Sequence, residues 1–226
     1  MRLHPDTAFA VLDGVEPECD EIAQTMLQHL VSHWPDRYSG VVVDPSLHPL
    51  DAIARLVPKD LVILVERDGH MVCGGGSVCF PNRWDLRSKL GASLAAVHAP
   101  VGRLNEQLEA VIDGFIGRLR PERSFWRLGW GILDTSDGYT PVDGTAAPRP
   151  SSPTLKDLHV RVERETLRRF PHTNAVLFTI RTYLTPLRSV LDDPEDAEAI
   201  RRVVDVMPTD VRSYKEITDV MRASLG

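Results

Sequence analysis

The chain has 226 residues, enough to bury one generous core without staples and too few for two full domains. Its 32 acidic residues outnumber the 26 lysines and arginines for a net charge of −6, and no basic run is present, which excludes a phosphate-neutralising face and hence a nucleic-acid partner. Three cysteines, Cys19, Cys73 and Cys79, are too few for a secreted disulfide framework, and neither a signal peptide nor a membrane span is visible, so a cytoplasmic protein is expected.

In chain order, Ile22, Met26, Leu27, Leu30 and Trp34 recur at helical spacing behind the acids Glu18, Asp20 and Glu21, which predicts a helix over Cys19–Trp34. A short helix over Leu50–Val57 follows, closed by Pro58. DLVILVE (Asp60–Glu66) is a continuous apolar run of strand length, and HMVCGGGSVCF (His70–Phe80) returns as its hairpin partner after the turn at Arg67–Gly69. Gly74, Gly75 and Gly76 strip the second strand of side chains, which predicts a bulge or a large flat group against the backbone. Asn82–Pro121 reads as helical in two or three pieces, Ser124–Leu133 as a third strand, and 134–157 as a long flexible loop rich in Gly, Pro, Ser and Thr. Glu195–Met207 and Tyr214–Leu225 read as closing helices.

Between them lies the stretch that carries the most information, LHVRVERETLRRFPHTNAVLFTIRTY (Leu158–Tyr183). Its apolar residues alternate, so it reads as two strands joined by PHTN, with Glu163, Arg181 and Tyr183 expected on one polar face. Cross-strand ion pairs on a wet face account for that pattern equally well. The element order predicts an α+β fold: a PAS-like single antiparallel sheet with helices packed on one face and added N- and C-terminal helices. Residues 1–59 are then an N-terminal helical extension, 60–190 the core, and 191–226 the C-terminal helices.

Five blocks, VCFPNRWDLRSKLG (Val78–Gly91), VHAPV (Val97–Val101), RPERSFWRLGW (Arg120–Trp130), RVERETLRRFP (Arg161–Pro171) and AVLFTIRTYLTPL (Ala175–Leu187), resemble in this order the haem-dependent oxidative N-demethylase family. MPTDVRSYK (Met207–Lys215) extends the resemblance. It implies a haem-binding PAS fold that holds haem b and oxidises a methyl group of a small amine, dimethylamine in the characterised case, with O₂. Electrons would come from a separate NAD(P)H-dependent flavin and iron–sulfur reductase; no membrane partner is implied, and a homo-oligomer is compatible with the chain.

Under that resemblance His98 is the axial ligand of the iron, since it alone among eight histidines lies in the segment between the second and third strands. Cys79 is the competing ligand, and a small buried residue is its ordinary role. Arg83, Gly75 and Trp126 complete the expected cofactor contacts. Glu163 is expected to hold the methylated ammonium and take its proton, because a buried cation requires a carboxylate partner. Arg127 and Arg181 are expected to polarise bound oxygen or pair with haem propionates, and Tyr183 to add a hydrogen bond. The alternatives are a haem-based PAS gas or redox sensor, a non-catalytic haem-binding protein, and a haem oxygenase acting on a larger amine or an amino-acid-derived substrate.

Overall fold

Apolar residues with a period of two, flanking one run that is apolar on both faces, build a single open six-stranded antiparallel sheet in the computed structural model, which describes residues 5–97, 111–142, 144, 146 and 148–225. Its strands are β1 (Phe9–Val11), β2 (Asp60–Arg67), β3 (His70–Ser77), β4 (Phe125–Leu133), β5 (His159–Arg169) and β6 (Val176–Pro186), in the order β1-β3-β2-β6-β5-β4. The helices are α1 (Pro5–Ala8), α2 (Glu16–His33), α3 (Pro35–Tyr38), α4 (Pro49–Ala54), α5 (Leu94–Val97), α6 (Leu187–Leu191), α7 (Pro194–Val206), α8 (Thr209–Tyr214) and α9 (Asp219–Ala223), with residues 111–117 also helical. The α+β class is therefore as expected. No helix among the described residues is long and apolar enough to cross a membrane.

The chain divides into two compact units: Met1–Cys79 with Asp85–Arg127 and Glu165–Arg181, and Phe80–Trp84 with Leu128–Arg164 and Thr182–Gly226. In the first unit β2 is buried on both faces from Asp60 to Val65. Leu61, Ile63 and Val65, with Leu177 of β6, pack on Ile22 and Leu30 of α2 and on Leu50 and Ile53 of α4. Leu64 and Val176 turn the other way and meet Leu94, Ile112, Phe115, Ile116 and Leu119. Helices thus cover both faces there, which corrects the expectation of one covered face; a strand written LVILV buries both sides.

The expected helix over the first part of Asn82–Pro121 is also corrected. Asn82 bridges Thr140, Arg87–Lys89 is a 3₁₀ turn, and only α5 is α-helical before residue 98. The Asp85 carboxylate accepts from the Arg87 and Ser88 amides at 3.2 and 3.0 Å, and Gly91 sits at φ +72°, so local side-chain bonding and a left-handed residue interrupt the helix.

The PHTN turn is tied to α2. Glu21 accepts from the His172 amide (3.0 Å), the Thr173 amide (2.9 Å) and the Thr173 hydroxyl (2.6 Å). Burial opposes its charge, but these bonds outweigh it and hold the carboxyl below the usual glutamate value. A depressed acid stabilises the fold above its unfolded pKa, so this contribution is lost as pH falls from about 4.3 through the lowered value. Glu21→Ala is expected to cost about 1–3 kcal/mol in urea unfolding at pH 7, and less at pH 3; equal costs at both pH values would refute the assignment.

In the second unit Ile132, Leu158 and Leu187 are buried with Val204, Ile217, Met221 and Leu225 from the C-terminal segments. The helix expected over Tyr214–Leu225 is the shorter α9, and Tyr214 instead ends α8. Glu216 takes φ +51° and the Ile217 amide bonds back to the Arg212 carbonyl at 3.1 Å, closing α8 in a left-handed cap. Thr218 then caps α9 through the Met221 amide at 3.2 Å.

Candidate active site

The geometry of the β5–β6 hairpin follows from its four-residue turn. The Phe170 amide donates to the Ala175 carbonyl at 2.8 Å, and at the far end the Leu187 amide donates to the Leu158 carbonyl at 2.9 Å. Both pairs join an even-numbered residue to an odd-numbered one, so the register is constant and odd positions of β5 share a face with even positions of β6. Arg161 confirms this by donating from Nη2 to the Thr182 hydroxyl at 3.1 Å. Arg181 and Tyr183 therefore point to the opposite face from Glu163, which corrects their expected convergence. Arg181 donates to the Pro58 carbonyl at 2.5 Å, and Tyr183 is 49% exposed.

In the second unit the buried centre of the polar face is Arg161, a residue that sequence reasoning left without a role. It is 2% exposed. Its Nε donates to Glu163 Oε1 at 2.6 Å, and its Nη2 donates to the Phe80 carbonyl at 2.5 Å as well as to Thr182. Its Nη1 is buried and has no hydrogen-bond partner among the described residues. Glu163 is half-buried, with its side chain 22% exposed, and its Oε2 has no partner among the described residues. The available signal was an arginine between two apolar strand residues, Val160 and Val162, which can be buried only if paired.

Arg83, expected at the cofactor, is occupied elsewhere in the same unit. It pairs with Asp134 at 2.9 Å and with Glu216. Arg149 from the long loop completes a ring, pairing with Asp134 at 2.7 Å and Glu216 at 2.8 Å.

In the first unit Arg127 is 75% exposed and holds Glu165 at 2.5 Å. On its strand face, two residues back, Phe125 meets Phe115 edge-to-face with ring centroids 5.2 Å apart. An apolar wall with a cation at its rim fits a flat apolar group that carries acidic edges. Trp126, 61% exposed, lies on the alternate face of β4. At Gly75 the space beside the backbone is filled by protein: an added Cβ would lie 2.4 Å from the Ala10 carbonyl oxygen. Strand packing and the register shift at Ile63/Leu64 account for the bare glycines.

His98 lies outside the described residues. Among those described, no group of three or more His, Cys, Asp and Glu side chains forms a metal cluster. None of the three cysteines forms a disulfide among the described residues. Burial, with Glu18, Asp20 and Glu16 nearby, pushes the Cys19 thiol up to about 12, and burial also raises Cys73, so both are inert packing residues.

A family model described as haem-dependent oxidative N-demethylase, alpha subunit-like, matches residues 1–225, effectively the whole chain.

Proposed function

The chain belongs to the haem-dependent oxidative N-demethylase, alpha subunit-like family, and from that premise we propose that it removes a methyl group from a small methylated amine. One oxygen atom of O₂ enters a C–H bond next to nitrogen, and the carbinolamine breaks its C–N bond to give an aldehyde and the shortened amine. The second oxygen atom leaves as water, which consumes two electrons and two protons from an external reductase. Haem, when bound, supplies the oxidising power for this chemistry.

The reading of the core as PAS-like is supported by the strand order, in which the first long strand, β2, is flanked by its hairpin partner β3 and by the last strand, β6. Phe125 and Arg127, the latter shared with Glu165, would hold the haem, and His98 is the proposed iron ligand. Arg181, Tyr183 and Arg83 are assigned no role in the reaction, since each is committed or directed elsewhere.

The observation that carries the proposal is the Glu163 carboxylate. Arg161 fixes one oxygen at 2.6 Å, while the other has no partner among the described residues and can accept from an ammonium. Glu163 then holds the amine and receives its proton, which frees the nitrogen lone pair for electron loss.

Two measurements test this. Haem added to the purified chain should give a Soret band that His98→Ala loses. On the haem-loaded protein, Glu163→Gln should weaken dimethylammonium binding by about tenfold or more. Unchanged binding in that variant would refute the role of Glu163.

A further inference from the structure

We propose that the substrate is a zwitterion, an N-methylated amino acid, whose carboxylate is taken by Arg161 and whose ammonium is taken by Glu163. This rests on the preceding reading of Glu163 and deepens it by naming the substrate class.

The Arg161–Glu163 ion pair leaves hydrogen-bonding positions unfilled on both partners. Arg161 spends Nε on Glu163 and Nη2 on Phe80 and Thr182. Its Nη1 is shut away from water with nothing to donate to among the described residues. A buried N–H of a charged group without an acceptor is one of the costlier features a fold can carry, and such groups are rare in native structures. On the same pair, Glu163 retains one unpartnered oxygen. The two vacant positions have opposite demands: one asks for an anion or other strong acceptor, the other for a cationic donor.

A bare methylammonium ion satisfies only one of them. It would occupy the Glu163 oxygen, leave Nη1 unfilled, and add a net positive charge beside a buried guanidinium. A short zwitterion satisfies both. It adds no net charge to a pair that is itself neutral, and its two ends run antiparallel to the Arg161–Glu163 dipole. Thr182 and the Phe80 carbonyl hold the guanidinium from the side of Nη2, so its orientation does not depend on the ligand.

The test is calorimetric titration of the haem-loaded full chain with N,N-dimethylglycine, its methyl ester, dimethylammonium and glycine betaine. The acid is expected to bind about tenfold or more tightly than the ester or dimethylammonium, since only it fills the guanidinium. Betaine, which has no N–H, should bind more weakly than dimethylglycine. Arg161→Met should erase the preference for acid over ester; because that variant removes a buried residue, the comparison among ligands on the unaltered chain stands as the decisive arm. Equal affinity for acid, ester and dimethylammonium overturns the proposal and leaves the earlier reading intact if Glu163→Gln still weakens dimethylammonium. Absence of binding by every amine overturns both.

Discussion

Replacing Gly75 by alanine is expected to destabilise the chain by about 4 kcal/mol or more, or to prevent its folding. The residue sits at φ +132°, a conformation that side chains of L-residues rarely adopt. Its new Cβ would lie 2.4 Å from the Ala10 carbonyl oxygen and 2.5 Å from Val11 Cα, both backbone atoms of β1. Rotation of a side chain cannot relieve such contacts; the β1–β3 pairing itself has to open. Gly76 faces the same difficulty from β2, with the Leu61 carbonyl oxygen 2.2 Å away. Gly117→Ala is the control, since nothing lies within 4 Å of its added Cβ and the residue is helical; it should be neutral or stabilise by about 0.5–1 kcal/mol. Urea unfolding of the three variants decides between two roles for the bare strand. A strand kept bare for a flat ligand would tolerate alanine with little loss of stability and would lose ligand instead; a loss below about 0.5 kcal/mol for Gly75→Ala would restore that role.

Much of this was legible in the sequence, and the exceptions share a cause. Periodicity found β2, β3, β4, β5 and β6 within a few residues, because each strand buries a patterned face. The hairpin register was not legible from alternation, because alternation gives two faces without saying which face of the next strand adjoins which. The turn decides that: PHTN places four residues between Phe170 and Ala175, and an even number joins opposite parities. Placing Glu163 beside Arg181 and Tyr183 required an odd number. Arg161 was missed for a related reason. On a strand read as half-wet, an arginine looks like surface, and only the neighbours Phe80 and Thr182, one of them remote in sequence, show that it is buried. The failed helix at Asn82–Val97 was written in Asp85 and Gly91, whose local bonding and left-handed backbone compete with helical spacing.

Asp134→Ala is the second change expected to have a large effect, at about 3–5 kcal/mol. Asp134 follows β4, is buried, and gives one oxygen to Arg83 at 2.9 Å and the other to Arg149 at 2.7 Å. Glu216 closes the ring from the other side of both guanidiniums, so charges alternate around four members. Arg83 and Glu216 adopt φ of +57° and +51°, left-handed conformations without the freedom of glycine, and the ion pairs offset that backbone strain. Removing Asp134 leaves Arg83, only 17% exposed, with one carboxylate in place of two. Arg149→Ala should cost about 1 kcal/mol or less, because that side chain is half in water and its pairs are screened. The double variant Asp134→Ala, Arg149→Ala should cost less than the sum, since the arginine has lost half its partners once the aspartate is gone. The same ring makes a statement about Arg83. An arginine already shared by two carboxylates has little charge left for a propionate, so Arg83→Ala should lower the unfolding free energy while haem occupancy at saturating haem stays unchanged. A variant that kept its stability and lost haem would move Arg83 from the ring to the cofactor.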